Sequence, residues 1–245
     1  MSPTRGTAVA AGAFFLITEV AAIAGLLLYQ PVLSNPNYVI GAGADNRVLM
    51  GGFFELVLVA AIVGTGVTLY PVVRNQSHSV ALGYLCTRLL EAVVILVGIV
   101  SVLSAVTMRQ GFAGTPGTDS AALVAAGKSL VAIHDWTFLL GPNVLLGLNS
   151  LLLAYLLYRS RLVPRFIAAL GLIGGVLICI SAGAVMFGLY EQVSTVGTVA
   201  ALPVFAWEVS LAIYLIVKGF RSPPAVAGGI APAEPQAGLA VTREA

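Results

Sequence analysis

Five carboxylic side chains interrupt long apolar stretches of the sequence: Glu19, Glu55, Glu91, Asp135 and Glu208. An ionised carboxylate near the centre of a membrane-inserted helix costs about 2.5–3.5 kcal/mol, so such groups face a protein interior, a partner or water. Arg88 is the one basic residue within these stretches, and it can neutralise only one carboxylate. The others must be protonated, hydrated or bound to a cation, which is the chemistry of a proton or cation site.

Helical spacing places Arg88 on one face with other polar groups. Glu91 follows it by three residues and Tyr84 precedes it by four, so all three project from one side of a helix. Glu19, Glu91 and Glu208 fall near the same depth of three different apolar stretches. We therefore predict that three helices bring their carboxylates together near the midplane of a membrane.

A second polar stripe is predicted on the fourth stretch. Asp135, Pro142 and Asn149 recur every seven residues and would stay within about 40° of one another on a helix. Asn143 adjoins Pro142, and Glu55 lies at a depth similar to that of Asp135 on another stretch. We expect Asp135, Glu55, Asn143 and Asn149 to line an approach to the site from the outer face.

Each of these groups also has a purely structural interpretation. Arg88 and Glu91 fit a buried ion pair that holds helices in register as well as they fit a functional pair. Glu19 and Glu208 could fasten helices together as protonated, hydrogen-bonded groups. His134, near a membrane face, is interpreted as an interfacial residue. Three glycines are expected to allow close helix packing: Gly171, Gly174 and Gly175.

Six apolar stretches must position these side chains. Hydrophobic residues make up 59% of the 245 residues and charged residues 9%, which excludes a soluble globule, since ordinary soluble domains carry about 25% charged residues. A helix needs about 20 apolar residues to cross a bilayer, and the stretches lack the alternation of membrane strands. The predicted fold is an all-α polytopic membrane bundle with six transmembrane helices, at residues 7–28, 49–72, 80–107, 130–158, 166–189 and 196–217.

The basic residues predict the orientation of these helices. Eight lie on the side of the termini: Arg5, Arg74, Arg159, Arg161, Arg165, Lys218, Arg221 and Arg243. Three lie on the other side: Arg47, Arg109 and Lys128. Because cytoplasmic loops carry the excess of Lys and Arg, both termini are predicted to be cytoplasmic.

The ends of the predicted transmembrane domain follow from composition and capping residues. Residues 1–221 are expected to form the six-helix domain, and the Pro/Ala/Gly-rich residues 222–245 a disordered cytoplasmic tail. Thr118 and Asp119 are good helix caps, so the fourth helix is expected to begin there, outside the membrane.

Several chemistries are excluded by residue counts. The two histidines, His78 and His134, are predicted on opposite sides of the membrane, so they cannot ligate one haem or supply an intramembrane zinc hydrolase. The sequence contains no HExxH, GxSxG, P-loop or GxGxxG motif. We expect no cofactor and no nucleic-acid partner and find no catalytic motif, while the residues leave a bound metal open.

Three segments resemble a known family: GYLCTRLLEAVVILVG at 83–98, FLLGPNVLLGLNSLLLAYLLYRSRLVPR at 138–165 and ALPVFAWEVSLAIYLIVKGF at 201–220. Together they resemble a bacterial family of multi-pass membrane proteins known as domain of unknown function four-three-eight-six. The resemblance implies a bacterial plasma-membrane protein of about six helices. It supplies no activity, substrate or site.

The residues favour one function and leave two others open. The leading hypothesis is a membrane protein that binds or transports a proton, a cation or a small solute through a carboxylate-rich interior. The alternative is a non-catalytic membrane subunit or sensor, whose buried charges specify helix packing or bind a membrane protein or a second copy of the chain. A membrane enzyme that acts on lipid is the third interpretation.

Overall fold

The computed structural model describes residues 5–41, 43–112 and 119–221, and within these ranges the regular structure is helical throughout. The helices are α1 (Arg5–Leu33), α2 (Asp45–Val73), α3 (His78–Phe112), α4 (Ser120–Leu139), α5 (Leu146–Ser160), α6 (Arg165–Met186) and α7 (Thr195–Val217). The π-helical turn Leu140–Leu145 joins α4 and α5 into one long helix. Six helices of the described ranges are thus long and apolar enough to cross a membrane, which confirms the predicted all-α class.

The helix ends differ from the predicted spans in a few places. Helix α4 begins one residue after Asp119, whose carboxylate accepts hydrogen bonds from the backbone amides of Ala121 and Ala122 at 2.9 and 3.3 Å. Helix α6 ends at Met186 rather than at residue 189, because the chain turns at Gly188, which has a φ of 72°. Thr118 and the predicted tail at 222–245 lie outside the described residues.

The helices form a closed ring. Each contacts its neighbours along the chain, α3 contacts both α4 and α5, and α7 returns to contact α1. Large apolar side chains cover the outside of the ring, among them Val20, Phe53, Val100, Ile180 and Val199. This surface contacts the lipid bilayer, so the polar side chains of the spans are left for the inside of the ring.

Different hydrogen bonds and ion pairs hold the helices together at the two ends of the ring. At the terminal end, where α1 begins and α7 ends, Arg5 donates hydrogen bonds to the carbonyls of Ile216 and Val217 at 2.8 and 3.1 Å. At the opposite, distal end, Asp45 accepts a hydrogen bond from the Tyr38 hydroxyl at 2.7 Å and pairs with Arg109 at 2.8 Å. Burial and the hydrogen bond to Asp45 raise the pKa of Tyr38, which keeps its hydroxyl a donor.

Glycines bring α6 into close contact with α5 and α7. A Cβ on Gly174 would lie 2.7 Å from the backbone nitrogen of Val204, and one on Gly171 would lie 2.6 Å from the Trp207 ring. A Cβ on Gly175 would lie 2.9 Å from the carbonyl oxygen of Gly147. The predicted packing role of the three α6 glycines is therefore confirmed.

Candidate functional site

Arg88 stands at the centre of a buried polar cluster. Its Nη1 atom lies 3.1 Å from the Glu91 carboxylate and its Nη2 atom 2.8 Å from the Glu208 carboxylate. The amide of Asn149 donates a hydrogen bond of 2.6 Å to Glu91. Arg88, Glu91 and Glu208 are only 2, 3 and 5% exposed, and Asn149 is fully buried. The cluster thus joins α3, α5 and α7 across the middle of the ring.

Aromatic residues flank the Arg88 guanidinium. The guanidinium carbon lies 5.3 Å from the centre of the Phe15 ring, a distance at which a cation and a ring face attract each other. The Tyr84 hydroxyl is beside Arg88 and Thr65. Neither this hydroxyl nor the Arg88 Nε atom has a hydrogen-bond partner of standard geometry among the described residues. Buried donors of this kind are normally satisfied by an ordered water or an ion.

Glu19 extends the cluster to α1. Its carboxyl group is within hydrogen-bonding reach of the Glu208 carboxyl, which also pairs with Arg88. Two carboxyl groups can share a hydrogen bond only when one of them carries a proton. Glu208 therefore stands between a positive partner on one side and a carboxyl partner on the other.

A cavity of about 100 Å³ lies against this cluster. Its polar lining residues are Thr18, Glu19, Glu55, Arg88, Glu91 and Glu208. Arg88 pairs with Glu91 and Glu208, so Glu19 and Glu55 have no positive partner within the lining, and carboxyl groups exceed guanidinium groups there by three. A water molecule takes up about 30 Å³ in the liquid, so the cavity holds about three waters and is smaller than the pockets of about 300–1,000 Å³ that bind drug-sized ligands.

Two further spaces lie between the cavity and the distal end. A void of about 10 Å³ is lined by Tyr29, Glu55 and His134, among others. A groove of about 760 Å³ is bordered by the distal half of α1, by the end of α4 next to the π-helical turn and by the connection from α6 to α7, and Asp135 lines it. Phe138 lines the groove, the void and the cavity, so this residue is part of the wall of all three.

The π-helical turn explains where Asn143 lies. Pro142 has no N–H to donate to the carbonyl of Phe138, and the side-chain amide of Asn143 donates to that carbonyl at 3.0 Å. Asn143 therefore satisfies a backbone group beside the cavity. The sequence predicted one uninterrupted helix across this region, although Gly141 and Pro142 are the residues that signal an irregular turn.

The structure gathers most of the residues that the sequence singled out. Five of them surround the cavity: Glu19, Glu55, Arg88, Glu91 and Glu208. Tyr84 lies beside Arg88, and Asn149 lies behind Glu91 in the central cluster instead of along an outer approach. Asp135 lies in the groove with 64% of its side chain exposed.

His134 lies in a different environment from the interfacial one expected. It is buried, and its ring is stacked on Phe138 and meets the edge of Tyr29. The sequence also gave no sign that Phe138 would line the cavity or that Phe15 would lie against the Arg88 guanidinium. Among the described residues, no group of three or more His, Cys, Asp and Glu side chains has the arrangement of a metal site.

The fold and the buried cluster define a multi-pass membrane protein with a charged interior. The chain belongs to the family described as Domain of unknown function (DUF4386), whose sequence model matches residues 10–219. No curated protein and no solved structure matches the chain. The family relationship gives no activity, and the cavity with its charges is the feature of the structure that bears on function.

Proposed function

We propose that the protein binds and moves a proton or a small cation through the interior of the ring. The observation that carries this proposal is that four carboxyl groups and one guanidinium share a cavity of about 100 Å³. Three carboxyl groups in excess of the guanidinium require protons or cations to be neutral in a membrane interior. The size of the cavity favours a proton or a small cation over a larger solute.

The position of Glu208 supports an exchange of partners as the mechanism. Glu208 accepts from Arg88 and is within reach of Glu19. When a proton binds to Glu208, its attraction to Arg88 weakens, and an ionised Glu19 can take its place beside the guanidinium while Glu91 keeps its own contact. Release of the proton to the other side restores the first pairing. One proton enters and one leaves, and the net charge of the cluster is the same at both ends of the cycle.

A bacterial plasma membrane with both termini in the cytoplasm is part of this proposal. The terminal end of the ring carries Arg5, Arg74, Arg159, Arg161, Arg165, Lys218 and Arg221. The distal end carries Arg47, Arg109 and Lys128, and Arg109 is already paired with Asp45. The excess of basic residues marks the cytoplasmic side, so the groove beside Asp135 opens to the outside.

Reporter fusions are expected to show this orientation. A fluorescent protein that folds only in the cytoplasm, fused after Ala245, should fluoresce in bacterial cells. A phosphatase that is active only outside the plasma membrane should be active when it is inserted between α6 and α7. The opposite pattern would be a terminal fusion that does not fluoresce and a phosphatase that is inactive between α6 and α7, together with a fluorescent protein that does fluoresce when it is inserted there. This pattern would reverse the assignment of the two faces.

Proteoliposomes are expected to reveal the transported ion. The purified chain should dissipate an imposed pH, Na⁺ or K⁺ gradient faster than empty liposomes do. Glu19→Gln should lower this flux by at least about tenfold, because it removes a titratable group while keeping its size. Glu19 has no ion pair with Arg88 and is only partly buried, so this variant leaves both Arg88 pairs in place.

Asp119→Asn is the matched control for the Glu19 variant. It also removes one carboxylate, but at the distal start of α4, and asparagine caps a helix as well as aspartate does. Its flux should equal that of the wild type. Wild-type liposomes that pass none of the three ions, or a Glu19→Gln variant with unchanged flux, would reject the proposal.

A non-catalytic membrane subunit or sensor is the second candidate, and the Arg88 contacts favour it. Arg88 links α3 to α7 through Glu208, and its other partner, Glu91, accepts from Asn149 of α5; α3 and α7 are far apart in the sequence. A cluster of this kind can serve to specify one helix arrangement. This candidate predicts that wild-type liposomes pass no ion and that a second membrane protein, or a second copy, copurifies stoichiometrically with the chain.

A further inference from the structure

Polar side chains form a path from the distal groove to the central cavity. Asp135 lines the groove, and its Oδ1 atom lies 3.4 Å from Nδ1 of His134. His134 and Glu55 both line the small void, and Glu55 also lines the cavity that holds Glu19. Along the path from the groove to the cavity, each space or side chain therefore adjoins the next one.

The packing around His134 holds its ring between the groove and the void. The ring lies nearly parallel to Phe138, with a centroid distance of 6.1 Å and an angle of 9°. The Tyr29 ring meets it edge-on at 5.7 Å, and a Cβ on Gly98 would lie 3.7 Å from its Cδ2 atom. The Cβ would also lie 2.5 Å from Oγ1 of Thr137, so the absence of a side chain at Gly98 leaves room for the Thr137 hydroxyl, which donates to the carbonyl of His134.

The void beside His134 has the properties of a water site. Its volume of about 10 Å³ is close to the smallest that holds one water molecule, about 10–15 Å³. Tyr29, which is 1% exposed, lines this void, and its hydroxyl lacks a hydrogen-bond partner among the described residues. A water there would give Tyr29 its missing partner and would bridge His134 and Glu55.

We propose that protons reach the cavity from the distal face through Asp135, His134 and Glu55, with His134 as the relay. This inference rests on the proposed function and names the proton as the ion that moves. Imidazole suits the role because one ring nitrogen can accept a proton while the other donates one. Phe138 closes the direct route for larger ions, since it is part of the wall of the groove, the void and the cavity.

The number of protons and the charge balance at each step of the transfer. Nδ1 of neutral His134 takes a proton from the Asp135 carboxyl or from groove water, and Nε2 then gives up its own proton through the void water to the Glu55 carboxylate. Asp135 regains its proton from the outside, and rotation of the His134 ring turns Nδ1–H toward the void and the unprotonated Nε2 toward the groove, so that the next proton moves in the same direction. The net result is one proton moved from the groove to Glu55, without any oxidation or reduction.

The groups that surround His134 on each helix are consistent with this route. Asp135 neighbours it on α4, Tyr29 faces it from α1, and Glu55 lines the same void from α2. Helix α3 contributes only Ile95, Gly98 and Ile99 to that void, and none of them titrates. A proton on His134 can therefore pass only to a carboxylate, to Tyr29 or to water among these neighbours.

Proton flux into proteoliposomes tests the relay. His134→Ala should lower the flux by at least about tenfold, because a relay by a positioned acid and base is lost. Added imidazole should restore much of it by entering the space left behind. The same imidazole added to Glu19→Gln liposomes measures how much imidazole carries protons across the lipid by itself. His78→Ala, which changes the other histidine at the terminal end, should keep the wild-type flux.

The outcomes separate the relay from the proposed function. Loss of flux in His134→Ala with imidazole rescue, at an unchanged unfolding temperature, supports the relay. Wild-type flux in His134→Ala alongside a defective Glu19→Gln overturns the relay and leaves the proposed function standing. Loss that imidazole does not restore also overturns it, since the ring would then act only by packing. No ion flux in the wild type removes the proposed function itself.

Discussion

Replacing Arg88 with glutamine is expected to lower the free energy of unfolding by about 3–5 kcal/mol, the usual cost of removing one member of a buried ion pair. Arg88 holds two carboxylates, at 3.1 and 2.8 Å, and all three groups are almost completely buried. Without the guanidinium, Glu91 and Glu208 face each other across the ring with no positive partner. Thermal or denaturant unfolding in detergent, followed by circular dichroism, measures the loss.

Two further variants show whether the unpaired charges cause this loss. Arg74→Gln removes an exposed arginine at the end of α2 and should change the stability by no more than about 0.5 kcal/mol. Arg88→Gln combined with Glu91→Gln and Glu208→Gln should recover much of the lost stability, because neutral amides can bond to one another. An Arg88→Gln protein as stable as the Arg74→Gln protein would contradict the central role of the guanidinium.

Gly174→Val is expected to lower the free energy of unfolding by about 3 kcal/mol, the upper end of the usual cost of overpacking. Its Cβ would lie 2.7 Å from the nitrogen and 2.8 Å from the Cα of Val204. These are backbone atoms of α7, so no rotation of a side chain relieves the overlap, and α6 and α7 must separate. Because α7 carries Glu208, the shift should also weaken the Arg88 pair.

Gly183→Val is the matched control on the same helix. A Cβ at Gly183 meets nothing within 4 Å, so valine fits there without moving a neighbour. Its stability should stay within about 0.5 kcal/mol of the wild type in the same unfolding assay. Equal stability of the two variants would mean that the packing of α6 against α7 does not depend on the close approach at Gly174.

The sequence could predict the helices but not how they are rotated. Apolar length predicts a span whatever its neighbours are, and the spacing of Arg88 and Glu91 places both on one face of α3. Which face turns inward depends on contacts between helices, such as the one from Arg88 to Glu208, 120 residues away. Spans that are apolar all round carry little information about that rotation.

The predicted stripe on the fourth span illustrates this difference. Repeats of seven place Asp135 and Asn149 on the same face only if the helix is regular between them. The π-helical turn at Leu140–Leu145 adds about one residue, which rotates the following helix by about 100°. Asp135 therefore lies in the exposed groove, whereas Asn149 is buried against Glu91. His134 was misplaced for a related reason, since its burial depends on Tyr29 of α1.

The closure of the ring has a consequence for how the protein is assembled during synthesis. Arg88 and Glu91 are on one helix and can pair as soon as α3 enters the bilayer. Arg5 and Glu19 contact α7, which is the last of the described helices to leave the ribosome. The first helix can make these contacts only after the last one has entered the bilayer, and a nascent chain that stops before Thr195 has an incomplete charge cluster.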